Sequence, residues 1–363
     1  MMANPSSKHL VLVGAGRAHL QLMRALAQHG AANLRLTLVA PQPYYIVPAL
    51  LPAYISGQCD IGTLCRPIDT LVELSGATFA PGRVVALDAA GRRVQLSSGD
   101  ALHYDVLCVN EEPAFERDLI EHYIPGARQN AMFVRPYASF LQLWPQVQAM
   151  AQARPVQFAL IGNDALTVEL AMALTSVLSQ LRGGGVTLVA GDGALLADHP
   201  PALRRRVLAR LRALNITVLP EHCVRIDNGA VHLSGGGVLM CDAPLFALAA
   251  PQPHWLAEGG VQCDEEGFLV LNERLQSESH RQIFVVPEDA PLEIGATLEA
   301  NMRCALDGGQ LRAMPRSSEW LHLLDSGGGE AIAAFGPMSV EGSGVWRYKM
   351  RRERRRCDEL FTL

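Results

Sequence analysis

Twice in this chain an apolar run breaks at a glycine and gives way to helical periodicity. Near the start, residues 10–13 (LVLV) lead into Gly14-Ala15-Gly16, and a helix-like pattern follows through His19, Leu22, Met23, Leu26 and Ala27. Near the middle, residues 157–161 lead into Gly162-Asn163-Asp164-Ala165 and then an amphipathic stretch, 166–181. Each unit then runs on through a further apolar strand, LRLTLVA at 34–40 and residues 186–190, and through short alternating β segments, 78–107 and 224–240. A βαβ unit with an inserted meander, present twice, predicts an α/β fold of two tandem Rossmann-like three-layer domains. The expected division is 8–130 with 273–315, then 131–272, then a small C-terminal segment over 316–363.

Glycines at a strand-to-helix turn let the backbone approach a pyrophosphate, whose charge meets N–H groups at the helix N-terminus. The dinucleotide fingerprint places a glycine where this chain has His19, so the first turn alone is a weak signal, with a plain strand-to-helix connection as the lesser alternative. The second strand ends at Ala40-Pro41, without the acidic residue that holds ribose hydroxyls in many such folds. Residues 41–57 (PQPYYIVPALLPAYISG) are too apolar for a solvated linker, and their prolines forbid a long regular element. They read equally as a packed loop or as a wall over a planar ligand.

Later elements are a helical region opening at Val134-Arg135-Pro136, a basic helix over 203–214 and a strand over 284–286. A helix over 294–306, a β pair over 320–324 and 331–335, and an arginine-rich tail complete the chain.

The 363 residues suffice for two cores, and 49% hydrophobic with 18% charged residues describes a soluble globular chain. A net charge of -5 gives no case for nucleic acid. The eight cysteines lack a C-x-x-C pair, no signal-like segment precedes Lys8, and no apolar run reaches the ~20 residues that span a bilayer. These features point to a reducing cytoplasmic compartment and free thiols. The one spacing suggestive of a redox pair is Cys59 and Cys65, and incidental thiols explain it as well. No His/Cys/Asp cluster shows metal-ligand spacing.

Several stretches resemble the FAD-dependent pyridine nucleotide–disulfide oxidoreductase superfamily. Within it the resemblance is to the type II NADH dehydrogenase-like branch related to the flavoprotein module fused to selenide, water dikinase. VLVGAGRAHLQLMRAL, PYYIVPALLPAYISG, VRPYASFL, VELAMAL, EEGFLVLNERLQS, IFVVPEDA and FGPMSVEGSGVWRYKMRRERRR carry it, over nearly the whole chain. That branch also has His in place of the third glycine and tends to lack the acidic ribose partner. The resemblance implies FAD as cofactor and a flavin that reduces a quinone or another small redox substrate. It places the cofactor on Gly14, Ala15, Gly16, Arg17, Ala18 and His19, with Pro48 in the aromatic loop. Glu288 or Asp289 would stand near the ribityl chain, and Gly162 in the second nucleotide motif. A catalytic residue is not identified.

The same positions depart from the family pattern. Asp164 and Thr167 stand where the second motif's later glycines belong. A β-carbon at 164 blocks close backbone approach, and like charges ~4 Å apart repel by roughly 1 kcal/mol in water and more when buried. This argues against ordinary NAD(P)H binding. Pro287-Glu288 replaces a Gly-Asp pair, Asn110-Glu111-Glu112-Pro113 replaces a glycine after the strand ending near Val109, and Ala249-Ala250-Pro251 replaces a glycine-containing turn.

Two functions follow: a flavin-dependent oxidoreductase, or a non-catalytic relative acting as a binding or scaffold protein. Between them lies a flavoprotein reduced by something other than NAD(P)H. The tail's arginines (Arg347, Arg351, Arg352, Arg354, Arg355 and Arg356) beside Trp346 and Tyr348 suit an anionic membrane surface. They suit equally a solvated helix facing acidic patches. The expected location is the cytoplasm, with peripheral contact to the inner membrane as the extension.

Overall fold

The computed structural model describes residues 7–30, 33–112, 117–248, 253–265, 268–288, 290, 294–315 and 321–362. Asp289, Pro113, Glu266-Gly267, the Ala249-Ala250-Pro251 turn and Trp320 lie outside them.

Two five-stranded parallel sheets carry the fold. The first runs Ile283–Val285, Val106–Val109, Lys8–Val13, Leu34–Ala40, Ala77–Pro81. The second runs Met132–Phe133, Ala243–Phe246, Val156–Ile161, Gly184–Val189, Thr217–Leu219. From the second place on, the two orders are filled by corresponding segments, so the duplication read in the sequence is also a duplication of topology; the outer strand alone differs, being the last of its sheet in chain order in the first unit and the first in the second. Strands buried on both faces account for unbroken apolar runs such as LVLV.

Alternate residues of those strands enter different layers. Leu10 and Leu12 pack with Leu22 and Met23 of the helix Arg17–His29 and with Leu298 and Met302 of the helix Gly295–Asp307. Val11 and Val13 pack on the opposite side, against Val84, Leu87 and Val94 of an antiparallel meander. That meander is Val84–Asp88, Arg93–Leu96, Ala101–His103, inserted between the strands Ala77–Pro81 and Val106–Val109. The second unit repeats the scheme. Phe158 and Leu160 face the helix Ala165–Gln180, while Ala159 and Ile161 face Ile226 and Val231 of the meander Cys223–Asp227, Ala230–Leu233, Val238–Met240. Helix, sheet and meander are the three layers.

Three local readings need correction. The segment beginning at Thr78 opens with Ala77–Pro81, which joins the parallel sheet instead of the meander because its neighbour Leu34–Ala40 offers a free edge. The C-terminal β pair is a three-stranded sheet, Leu321–Gly327, Glu330–Phe335, Met338–Gly342. The basic tail is the helix Ser343–Phe361, and it is not solvated all round: Lys349, Met350, Glu353, Cys357 and Leu360 are buried at helical spacing. No helix among the described residues is long and apolar enough to cross a membrane.

Candidate functional site

An open cleft of about 290 Å³ lies along the C-terminal ends of the first sheet. Such crevices beyond the strand ends are where ligands bind in open α/β sheets. Gly14, Ala15, Gly16, Arg17 and Ala18 form one wall, and Ala40, Pro41 and Gln42 close one side. Tyr44, Tyr45, Ile46, Pro48 and Ala49 form another wall. The proline-rich segment is therefore packed on one side and lines the cleft on the other. It breaks into a short strand, Tyr44–Ile46, and a five-residue helix, Leu51–Ile55, with Leu50 and Leu51 buried in the core. Two tyrosines, Tyr44 and Tyr45, with Ile46, Pro48 and Ala49, face the cleft. Glu111, Glu112, Tyr137, Pro287 and Glu288 line the remainder.

Asn110 holds the centre of this arrangement. Its main-chain N–H donates to Val13 O at 2.9 Å, and its side-chain amide donates to Val286 O at 2.9 Å. Its Oδ1 accepts the Ala18 N–H at 3.2 Å, near the start of the first helix. One residue thus ties three strand ends to a helix terminus, a role that its position in place of a glycine did not suggest. The demand for Gly14 and Gly16 comes from the same residue. A β-carbon at Gly14 would lie 2.7 Å from the Asn110 carbonyl carbon and from Glu111 Cα, and one at Gly16 would overlap the Asn110 side-chain amide.

His19 does not line the cleft. Its ring is fully buried, and Nδ1 lies 2.7 Å from Gly14 O, pinning the turn from behind. Burial lowers the ring to about 4, so it is neutral at pH 7 and its Nδ1–H is the donor to that carbonyl.

Sequence reasoning missed the cluster at the far end of the cleft, where the two units meet. Arg135, 7% exposed, donates to Ala247 O at 2.9 Å, pairs with Glu288 at 3.3 Å and reaches Asp164 at 3.9 Å. Tyr137 starts the helix Tyr137–Ala153; its hydroxyl donates to Glu288 at 3.0 Å and its main-chain N–H to Glu112 at 2.6 Å. The only outward signal was the motif VRPYASFL, whose Pro136 fixes where that helix begins. Burial pushes the Glu112 carboxyl up to about 8, and the nearby Glu288 charge adds to this against the Tyr137 N–H, Arg135 and Arg83. Burial likewise raises Glu111, countered by Arg83 and the Trp255 indole. Glu111 and Glu112 together therefore carry less charge near neutrality than two ordinary glutamates.

The second motif is built differently. Asp164 caps the helix Ala165–Gln180, its Oδ1 accepting the Thr167 N–H at 2.8 Å and the Thr167 hydroxyl at 2.5 Å. The helix end that would grip a diphosphate is thus filled by the chain's own carboxylate. Gly162 lies here, outside the cleft, and the Thr167 side chain fills the space a β-carbon on it would need. The residues present do not fit a dinucleotide seated on this turn in the ordinary way.

Another unforeseen feature is an ion pair behind the aromatic wall. Lys349 Nζ lies 2.9 Å from Glu169 Oε1 and donates to Ala49 O at 3.1 Å, with Lys349 3% exposed and Glu169 7% exposed. The Asp325 N–H donates to the same Glu169 oxygen at 2.6 Å, and the Trp346 indole donates to Asp325 at 3.1 Å. Burial alone would lower the Lys349 amine, but the charges of Glu169 and Asp325 outweigh it and hold it above its ordinary value. One lysine thus links the second unit, the C-terminal helix and the cleft wall.

All eight cysteines are free thiols. Burial pushes Cys59 up to about 11 and also raises Cys65, so neither holds a reactive thiolate at neutral pH. Among the described residues no group of three or more His, Cys, Asp or Glu side chains is placed to hold a metal ion.

The family model described as pyridine nucleotide-disulphide oxidoreductase matches residues 8–293. An NADH dehydrogenase-like protein of Mycobacterium tuberculosis (strain CDC 1551) is 23% identical over 295 residues, covering 77% of this chain and 70% of that protein. Among solved structures, the sulfide:quinone oxidoreductase of Aquifex aeolicus superposes with a TM-score of 0.77 at 17% identity, covering 97% of this chain and 91% of that one. The NDH2 of Plasmodium falciparum in complex with NADH gives 0.73 at 12% identity, covering 96% of each chain. Both likenesses are in fold.

Proposed function

Because the chain belongs to the pyridine nucleotide-disulphide oxidoreductase family, we propose that it is a flavin-dependent oxidoreductase of the NADH dehydrogenase-like type. In this reading FAD lies in the cleft over Gly14–Ala18, and a small redox molecule, a quinone by analogy with the sulfide:quinone oxidoreductase, receives the electrons. The units are 8–130 with 273–315 for the flavin, 131–272 for the second nucleotide-like domain, and 316–363 for the C-terminal segment. The observation that carries the reading is the contrast between the two turns: the first opens onto a cleft, the second is filled by Asp164 and Thr167.

When bound, the flavin supplies the two-electron chemistry. The chain supplies position. Gly14, Ala15, Gly16, Arg17 and Ala18 present backbone close to the phosphates, and the first turn of their helix holds no acidic side chain. Pro48 and its aromatic neighbours wall one side of the cleft, while Glu288, fixed by Arg135 and Tyr137, provides a carboxylate for sugar-like hydroxyls. His19 serves from behind by holding Gly14.

The test is direct. Protein purified without added cofactor, or incubated with FAD and desalted, is expected to show the flavin spectrum and to melt at higher temperature than the flavin-free form. NADH and NADPH are expected to bleach that spectrum far more slowly than dithionite does. A protein that stays colourless after incubation overturns the flavin assignment and leaves the scaffold reading. Rapid bleaching by NADH, with saturation at micromolar concentrations, overturns the closed second site.

The C-terminal segment supports peripheral membrane contact as a second element of the reading. Arg347, Arg351, Arg354 and Arg355 lie on the exposed face of the last helix, and the neighbouring sheet exposes Met338 (64%) and Val340 (56%). Basic residues next to exposed apolar ones suit an anionic lipid surface. Co-sedimentation with vesicles of about one-third phosphatidylserine is expected, and its loss in an R347Q/R351Q/R354Q/R355Q variant. Equal pelleting with purely zwitterionic vesicles, or none with either, overturns this assignment.

A further inference from the structure

We propose that Glu112 acts as an uncharged carboxylic acid in the cofactor cleft, donating a hydrogen bond from its free oxygen to the anionic cofactor, so that its ionisation releases that cofactor. The proposal rests on the reading of the cleft as an FAD site.

Geometry makes the first part of the case. Glu112 lines the same cleft as Gly14–Ala18. Its Oε1 is committed to the Tyr137 N–H at 2.6 Å, an orienting bond from a residue that is itself 3% exposed. That bond fixes the carboxyl plane and leaves the other oxygen as the group that carries or loses a proton. A protonated carboxyl is a donor, whereas an ionised one can only accept. Toward a diphosphate the first form attracts and the second repels.

The surroundings favour the protonated form. Facing the carboxyl is Glu288, on the segment after the last strand of the first sheet, while its neighbour Glu111 lines the same cleft. Opposing them are Arg135, which spends its guanidinium on Ala247 O, Glu288 and Asp164, and Arg83, beyond the end of the strand Ala77–Pro81. Arg17, Tyr44, Tyr45 and Tyr137 complete the charged and titratable groups of the cleft wall. Burial with a second carboxylate nearby leaves Glu112 titrating at about 8. The chain has thus placed an acid where a phosphate is expected and arranged for it to stay neutral.

The sign follows. Anion binding that requires the protonated form is full below pH 8 and falls as pH rises through it, the reverse of what ionised partners give. Between about pH 6.5 and pH 9 the ionised fraction of a group titrating near 8 rises from a few per cent to about nine-tenths, which corresponds to an affinity loss of about tenfold.

The experiment measures FAD affinity of the flavin-free full chain by quenching of flavin fluorescence at about pH 6.5 and pH 9. Wild type is expected to bind about tenfold more weakly at the higher pH. Glu112→Gln keeps a donor that cannot ionise and is expected to bind similarly at both values. Glu258→Gln, at an exposed carboxylate outside the cleft, is expected to retain the wild-type pH dependence. A flat wild-type profile, or a Glu112→Gln variant that keeps the tenfold loss, overturns the proposal. Absence of FAD binding by wild type at both values overturns the flavin reading and this inference with it, a pattern distinct from pH-independent binding. Thermal melts of each variant at both pH values separate loss of binding from loss of fold.

Discussion

Replacing Lys349 by methionine is expected to remove about 3–5 kcal/mol of stability, because it strands the Glu169 carboxylate in the interior. The ammonium is 3% exposed and holds Glu169 at 2.9 Å. A methionine fills most of the volume but gives neither charge nor donor. Glu169 then keeps only the Asp325 N–H at 2.6 Å. Urea unfolding followed by tryptophan fluorescence reads the loss as a lower midpoint at unchanged slope. The paired change Glu169→Leu with Lys349→Met removes both members of the pair and is expected to recover part of the loss, since Asp325 stays buried with, among the described residues, only the Gly327 N–H and the Trp346 indole to hold its charge. A single-variant loss under about 1 kcal/mol, the range of an exposed ion pair, would show that water reaches the pair and that it does not brace the fold. A second consequence is local: the bond from Lys349 to Ala49 O disappears, and the aromatic wall of the cleft loses its support from behind.

Gly14→Ala is expected to be comparably damaging and to abolish flavin retention. Gly14 has φ +92°, where a side chain costs about 1–3 kcal/mol. Its β-carbon would also lie 2.7 Å from the Asn110 carbonyl carbon, and relieving such overpacking costs typically 1–3 kcal/mol more. The relief has one direction open, displacement of the Asn110–Glu112 segment, which carries the bonds to Ala18 and Val286 and the carboxyl held by Tyr137. Even about 2 kcal/mol appearing in binding is a loss of roughly 30-fold in FAD affinity. Gly30→Ala is the matched control. Gly30 also has positive φ, +80°, but nothing lies within 4 Å of a β-carbon there. It is expected to show the backbone penalty alone and to bind FAD as wild type does. If the two variants melt within a degree of each other and both retain flavin, the close approach of Asn110 is not what constrains the turn.

How far the sequence carried this description depended on the range of the interaction. The two parallel sheets were legible because their strands are buried on both faces and must be apolar throughout, and the helix after each turn repeats every three to four residues. The strand Leu34–Ala40 was read at its observed bounds. The third strand of the C-terminal sheet escaped notice because Met338–Gly342 is short and its two apolar residues, Met338 and Val340, are the exposed ones. Asp164 and Thr167 were readable as departures from a glycine pattern, though not as partners in a helix cap. The junction of Arg135, Tyr137, Glu288 and Glu112 was invisible. Its members come from three places up to 176 residues apart in sequence, and no local period connects them. Glu169 and Lys349 were missed for the same reason: each sits in a helix whose own pattern gives no hint that the other exists.

The place of Ile283–Val285 in the first sheet has a consequence for how the molecule is made. That strand pairs with Val106–Val109, yet the whole second sheet is encoded between the two. A ribosome adding roughly 5–20 residues per second needs on the order of ten seconds to travel that distance. The inserted unit, whose strands are contiguous from Met132 to Phe246, can close during the interval, while the earlier-made unit waits with an edge uncovered. Order of emergence and order of completion are therefore reversed in this chain, and the nascent form exposed to chaperones is one with its middle finished and its beginning still open.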